Sequence, residues 1–534
     1  MYPQIDALVE AWLLLFSLVL HLTRIIALLI NSGGPGCSGL LGWGTEHGPF
    51  FISKNGSLHK NPYSWNKLAN MLYIEQPAGV GLGYCDRAED YKTDDAQAAA
   101  DNYRLILDFL KKFPERQSNP FYIASESYGG HYMPQLALEI LDNDPHGEKI
   151  NFQGLLVGNP YVDPYSNAVT QFESYYSHGL LSKPLFDEWS VACRDPNLYE
   201  SDKCEEITDD FFRQFGPGIN PYALDYPVCT QQIKEGEEGE EELYDEADYL
   251  EEYMETHQAE QQQTSQTNIQ GEDSVIHKLL QLRLASVGRP LLSKRHAYGG
   301  YNTEEAADYT TGSTGEMVDP EDDAPKLAAS AQLKTFLNTT KTSPPFLPEH
   351  DKYKPCAQEY LEKYLNRHDV RKALHVNPKR ITAAWLACGG VEYSTADVDT
   401  PTTHLYRELV RRAKAGEHTL QMLIFSGDDD SICSTAGTQA WIWNQIGSDP
   451  VNDRKIWKAW KVRGQTAGYV THFNVTSDVP KENIRADHVR RLLKDAPKEA
   501  SFIFATVHGA GHEVPAYRPL EALALFDRFM NRDW

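Results

Sequence analysis

Ser127 stands in Phe121-Tyr-Ile-Ala-Ser-Glu-Ser-Tyr-Gly-Gly130, where an apolar run ends at a serine with small residues two positions to either side, Ser125 and Gly129. A strand that breaks into a tight turn at such a serine, and then enters a helix, lifts the hydroxyl clear of the sheet and turns the next backbone N–H toward the same space. Acyl transfer requires that pairing, an exposed nucleophile beside a donor for the developing oxyanion. Two further apolar runs end in groups able to serve the serine. Leu420-Gln-Met-Leu-Ile-Phe-Ser426 runs into Gly427-Asp-Asp-Asp430, and Phe502-Ile-Phe-Ala-Thr-Val507 runs into His508-Gly-Ala-Gly-His512. Open α/β sheets gather their sites beyond the carboxyl ends of their strands, where these groups fall.

The chain order serine, aspartate, histidine is that of the α/β-hydrolase fold and differs from the orders of two other large serine protease folds. Further stretches narrow the comparison: Ser32-Gly-Gly-Pro-Gly-Cys-Ser38, Glu46-His-Gly-Pro49, Ile74-Glu-Gln-Pro-Ala-Gly-Val-Gly81, Ser426-Gly-Asp-Asp-Asp-Ser-Ile-Cys433 and Gly509-Ala-Gly-His-Glu-Val-Pro515. With the serine motif they stand in the order of the serine carboxypeptidases, which the chain resembles over residues 28 to 230 and 350 to 534. The resemblance implies Ser127 as nucleophile, His512 as general base and then acid, and Asp430 as the group that orients the imidazole. Asp428 and Asp429 are the alternatives for the aspartate, which the spacing to Cys433 disfavours. It also implies Gly34 and Tyr128 as the backbone donors of the oxyanion hole.

A carboxypeptidase must also hold a free C-terminal carboxylate. By the same resemblance Gly33 N–H, Glu46 and Glu126 do so, with Ser32 at a position where the family usually has asparagine; Asn31 lies one place earlier. Carboxyls facing a carboxylate repel unless one keeps a proton, so substrate binding is expected to strengthen at acidic pH. Ser32 also keeps open an acyltransferase on the same scaffold, since some relatives with a small hydroxyl residue there are acyltransferases. An inactive binding relative is disfavoured because all three residues of the relay are present. Glu513 is expected to look toward the pocket of the departing residue, and His47 and His131 read as structural or solvated. Peptide or protein C-termini are the expected substrates, with no cofactor and no metal, and the resemblance leaves room for a homodimer.

Composition bounds the rest. A chain of 534 residues suits a large α/β domain with an insertion. The net charge of −26 argues against nucleic acid, although about half of the excess falls between Glu235 and Glu260. Eight cysteines without a Cys-x-x-Cys pair disfavour a zinc site and suit an oxidising compartment, as do the sequons at Asn55, Asn338 and Asn474. The expected location is therefore vacuolar, lysosomal or secreted. Family resemblance implies the disulfides Cys37–Cys388, Cys193–Cys204 and Cys229–Cys356, leaving Cys85 and Cys433 free. Residues 1–24 carry an apolar stretch, Ala11 to Leu20, after an amino end with two acidic and no basic residues. They read as a truncated or misassembled gene start, with a signal anchor as the alternative. Membrane association is not expected unless that stretch is a true anchor.

Strand-like runs at Ile25 to Ile30, Met71 to Ile74, Phe121 to Ala124 and Phe152 to Val157 alternate with helical stretches such as Asp101 to Lys112 and Met133 to Leu141. That alternation is the signature of parallel βαβ units. The expected fold is thus a mostly parallel sheet with helices on both faces and a mostly helical cap insertion. Residues 25–163 form the first part of the core, 164–365 the cap and 366–534 the second part, which ends in a helix from Pro519 to Met530. Within the cap, 232–348 is acidic and rich in Gln, Ser and Thr; it reads as lacking a fixed fold, with short helices at most near Leu243 to Met254 and Val275 to Leu284. The dibasic Lys294-Arg295 there suggests a segment that can be cut without loss of activity.

Overall fold

The computed structural model describes residues 26–29, 33–195, 201–215, 218–229, 353–377, 384–446, 457–475 and 499–534. The expectations for residues 1–24, Asn31, Ser32, the segment 232–348, Lys294-Arg295 and Asn338 fall outside them. The chain divides into a larger unit, 1–228 with 294–534, and a smaller one, 229–293; every element named below belongs to the larger.

Its centre is a sheet of eight strands: β1 (Ile26–Leu29), β2 (Asn70–Tyr73), β3 (Phe121–Glu126), β4 (Phe152–Gly158), β5 (Gln421–Gly427), β6 (Lys458–Val462), β7 (Gln465–Phe473) and β8 (Ser501–Val507). Their spatial order is β6-β7-β8-β5-β4-β3-β1-β2. From β8 to β2 every pairing is parallel, and β6 and β7 extend one edge as antiparallel strands. The sheet is mixed because Arg463 and Gly464, both at positive φ, close a two-residue hairpin between β6 and β7.

The apolar runs of the central strands follow from burial on both faces. Tyr122, Ala124, Leu156, Leu423, Phe425, Ile503 and Ala505 pack on one side with Leu523, Phe526 and Phe529 of the C-terminal helix, Pro519–Asn531. The alternate residues, Phe121, Ile123, Leu155, Val157, Met422, Ile424, Phe502 and Phe504, face the other side. There they meet helices α1 (Asp95–Lys112), α2 (Gly129–Asn143) and α3 (Thr403–Lys414) through Ile106, Phe109, Met133, Leu136, Tyr406 and Leu409. Each fully buried Phe or Leu contributes roughly 1.5–3 kcal/mol by leaving water.

Helices Pro164–Ser177, Lys183–Cys193 and Asp202–Phe215 follow β4 and form a separate aromatic cluster around Phe172, Tyr175, Trp189 and Phe211. The bond Cys193–Cys204 lies within that cluster, and Cys37–Cys388 joins the early chain to the late one. Cys229 and Cys356 are also disulfide-bonded, whereas Cys85 and Cys433 are free thiols. Among the described residues no helix is long and apolar enough to cross a membrane.

Two helices begin earlier than their apolar periodicity suggests. Helix α1 starts at Asp95 because Asp94 caps it, its side chain accepting from Gln97 N at 2.7 Å. Helix α2 starts at Gly129, directly after the turn at Ser127, and carries Pro134 inside it. Proline cannot donate to the carbonyl four residues back, and here that carbonyl, Gly130 O, accepts instead from Tyr406 OH at 3.1 Å and Thr402 Oγ1 at 3.3 Å.

Candidate functional site

Four neighbouring strands, β3, β4, β5 and β8, end on the same edge, and each is followed by a polar residue: Ser127, Asn159, Asp430 and His512. Ser127 has φ of 57°, a left-handed conformation that costs a side chain of this size about 1–3 kcal/mol and persists only where the surroundings enforce it. They do so through Ser127 N–H donating to Gly158 O at 3.0 Å and Ser127 O accepting from Gly130 N and Tyr161 N at 2.9 and 2.8 Å. A Cβ on Gly129 would lie 2.2 Å from Ser125 Oγ, so a larger residue at either of these two positions would force the turn apart.

The three aspartates after β5 have three different partners. Asp428 accepts from Gly509 N at 2.6 Å and faces exposed His508, with Nδ1 at 2.7 Å. Asp429 accepts from Asp225 N at 3.0 Å and lies 3.8 Å from His178. Only Asp430 meets His512, with Nδ1 2.7 Å from its Oδ2. The remaining lone pairs of Asp430 accept from Asn159 Nδ2 at 2.8 Å, Ile432 N at 2.7 Å and Cys433 N at 3.1 Å. Asn159 is fully buried, and its Oδ1 accepts from Gly427 N at 3.0 Å, so one side chain bridges the carboxylate to the strand that carries it. Gly427 allows the two strand-end loops to meet, since a Cβ there would lie 2.3 Å from Gly511 O.

Burial opposes charge on His512, but the charge and hydrogen bond of Asp430, with Glu513 and Glu46 beyond it, prevail and raise its pKa to about 9. Its Nε2 is buried without a hydrogen-bond partner among the described residues. The thiol of Cys433 is buried beside Ser127, and burial pushes it well above its ordinary range. Nδ1 is therefore anchored while Nε2 stays available to a reacting group.

A second acidic group lies near Ser127: Glu46, 2% exposed, and the partly buried Glu126 are close enough for one carboxyl to act on the other. Burial first, then the charges of Glu46 and Glu513, raise the pKa of Glu126 well above the ordinary 4.5. Glu513 is raised by burial, although His512 pulls the other way.

Gly33 is partly exposed and Gly34 exposed, with φ of 117°. Their loop is fixed from behind by the Cys37–Cys388 bond, by Ser38 N–H donating to Ala387 O at 2.7 Å and by Ser38 Oγ donating to Glu75 at 2.6 Å. Ser32, expected beside them, lies outside the described residues. Tyr128, the first residue after the serine, has its ring buried and its hydroxyl on Asp95 at 3.0 Å. His47 and His131 are both buried, His47 stacked on Tyr73 and brought down to about 3 by burial, and His131 bonded to Asp95 at 3.1 Å. Sequence reasoning singled out neither Asn159 nor Asp95. Asn159 lay in view within Gly158-Asn-Pro-Tyr161, just after a strand end, the one local signal that could have found it.

A parallel sheet with a strained serine after β3 and a paired aspartate and histidine after β5 and β8 is an α/β-hydrolase fold. The chain belongs to the serine carboxypeptidase family, whose family model matches residues 28–532. Among curated proteins it is similar to serine carboxypeptidase-like 25 of Arabidopsis thaliana, 27% identical over 517 residues, covering 96% of this chain and 83% of the relative. Serine carboxypeptidase 1 of Hordeum vulgare is 27% identical over 520 residues, covering 95% and 83%. Among solved structures, the fold is similar to that of Kex1(delta)p, a prohormone-processing carboxypeptidase from Saccharomyces cerevisiae, with a TM-score of 0.59 and 17% identity over 96% of this chain and 83% of that one.

Proposed function

We propose that the protein is a serine-type carboxypeptidase that releases C-terminal amino acids from peptides at acidic pH, with Ser127, His512 and Asp430 as its relay. The observation that carries the reading is the contact of Asp430 with His512 Nδ1 at 2.7 Å, with the neighbouring carboxyls of Glu46 and Glu126 beside it in support. The first pair suits general-base activation of a hydroxyl, and the second suits recognition of a free carboxylate.

In this mechanism the neutral fraction of His512, kept small in acid by its raised pKa, takes the proton of Ser127 Oγ at Nε2 as that oxygen attacks the scissile carbonyl. Asp430 fixes the imidazole tautomer and stabilises the imidazolium. The oxyanion accepts from the N–H groups of Tyr128 and Gly34. His512 then protonates the departing amine, and water, activated by the same imidazole, hydrolyses the Ser127 ester. Gly33 N–H, with Ser32 beside it, and the Glu46–Glu126 pair hold the substrate carboxylate, the pair through its shared proton. Glu513 faces the leaving residue. Glu126, Glu513 and His512 bear on one another's charge, so the limbs of a pH–rate profile belong to the cluster. Asn55 and Asn474 are exposed sequons, in keeping with a secretory route to a vacuole, a lysosome or the outside of the cell.

Ser32 favours a second reading, an acyltransferase with the same relay. Three substrates separate the alternatives: an N-blocked dipeptide, the corresponding dipeptide amide, and an acyl ester offered with an alcohol acceptor. The carboxypeptidase reading expects a free amino acid from the first and far slower turnover of the second. Acyl transfer to the alcohol with the blocked dipeptide left intact overturns it in favour of the acyltransferase.

A further inference from the structure

Asp95 lies outside the motifs of the relay, yet like Asp430 it is a buried carboxylate that accepts four hydrogen bonds near the serine turn. It is 5% exposed, and both of its oxygens are occupied twice. Oδ1 accepts from Tyr128 OH at 3.0 Å and Tyr393 OH at 2.5 Å, and Oδ2 from His131 Nδ1 at 3.1 Å and Gln135 Nε2 at 2.8 Å. Three of these donors, Tyr128, His131 and Gln135, lie at the start of α2 or just before it, on the segment that leaves the strained turn at Ser127. The fourth comes from the segment after Cys388, which also holds Asp95 itself, since Asp397 Oδ2 accepts from Asp95 N at 3.0 Å. The rings are packed as tightly as the hydrogen bonds. Tyr128 stacks on His131 at 4.4 Å and meets Tyr132 and Tyr393 edge-on at 4.9 and 5.6 Å.

Such a node has a directional consequence. Helix α2 begins with no side-chain cap, so its first peptide groups rely on backbone bonds such as Gly130 N to Ser127 O and on what holds the Tyr128 side chain. Tyr128 contributes the first N–H after the nucleophile, and its side chain is tethered at the far end by Asp95. An oxyanion donor works only when aimed to within a few tenths of an ångström of where charge develops. We propose that Asp95 is a positioning residue for the acyl-transfer step, holding the Tyr128 side chain and the start of α2 so that Tyr128 N–H points at the oxyanion of the Ser127 adduct. The inference rests on the reading of Ser127 as nucleophile.

The test compares Asp95→Asn, Tyr128→Phe and the double variant with wild type. Tyr128→Phe keeps the backbone donor and removes only the tether. Three readouts apply: kcat and KM on a blocked dipeptide, the same constants on an ester, and the second-order rate of phosphonylation of Ser127 by an organophosphate. Complete loss of an oxyanion donor costs about 10²–10³-fold; misaiming it should cost less, on the order of 10–100-fold in kcat and in phosphonylation rate, with KM within about twofold. Asp95→Asn and Tyr128→Phe should not be additive, because both cut the same tether. If Asp95→Asn misfolds, Tyr128→Phe alone decides. Unchanged kcat and phosphonylation in folded Tyr128→Phe, a loss confined to KM, or additive losses in the double variant overturn the role. A wild type that is phosphonylated at Ser127 but cleaves no blocked dipeptide contradicts the carboxypeptidase reading alone, and the Asp95 inference is then scored on phosphonylation rates.

Discussion

Two buried acidic clusters flank Ser127, and they are built on opposite principles. On one side Asp430 has a full set of donors: His512, Asn159 and two backbone N–H groups. On the other side Glu126 faces Glu46, with Glu513 nearby, so the main neighbours of its carboxyl are other carboxyls. Four donors hold the oxygens of Asp430 in place, while burial and the neighbouring carboxyls push the pKa of Glu126 up. The same functional group is thus fitted to steady an imidazolium in one cluster and to share a hydrogen with an incoming carboxylate in the other. The difference lies in the neighbours, and proximity of charge also explains why His512 is raised despite complete burial.

The comparison breaks first at the donor-rich cluster. Asp430→Asn keeps the shape but turns an acceptor toward His512 into a donor, so kcat should fall on the order of 10³–10⁴-fold with little change in KM. Steady-state kinetics on the blocked dipeptide checks this, and a loss under tenfold would mean that the contact with His512 is not used. The proton-sharing cluster gives a smaller, pH-dependent effect. Peptide KM should rise between about pH 4 and 7 as the Glu46–Glu126 pair gives up its proton, while ester KM stays nearly level. Glu126→Gln should flatten the peptide profile and leave the ester profile in place; parallel peptide and ester profiles would remove the pair from substrate binding.

The smallest effect is on stability. The folded-state pKa of Glu126 lies above the ordinary 4.5 and that of His512 above 6.5, at about 9. A group raised on folding contributes stability that is complete below its unfolded value and is lost as pH climbs through the folded one. Both contributions therefore favour the folded protein in acid. Tm should decline from about pH 4.5 toward pH 9, more shallowly in Glu126→Gln. A Tm that rises across that window contradicts the assigned directions.

Much of this was legible in the chain, for identifiable reasons. Central strands buried on both faces read as unbroken apolar runs, so β3, β4, β5 and β8 could be located to within a residue or two at either end. The serine turn could be read because steric crowding between residues 125 and 129 excludes larger residues. The hairpin of β6 and β7 was missed, because half-exposed strands mix apolar and polar residues and Arg463-Gly464 is a weak turn signal. Among three adjacent aspartates, resemblance and the spacing to Cys433 pointed to Asp430, the one that meets His512, while the partners of Asp428 and Asp429 depend on the backbone path after β5. Asp95 gave no local sign, since its partners come from 33 to 298 residues away.

The central claim is that the serine on the strained turn after β3 is the nucleophile. Its most direct measurement is labelling with an organophosphate, with the modified residue mapped in wild type and Ser127→Ala and turnover followed in parallel. One label per chain on Ser127, none in Ser127→Ala, and a loss of turnover of about 10⁴-fold or more are the predicted results. Labelling of another serine in wild type, or turnover surviving in Ser127→Ala, would contradict it.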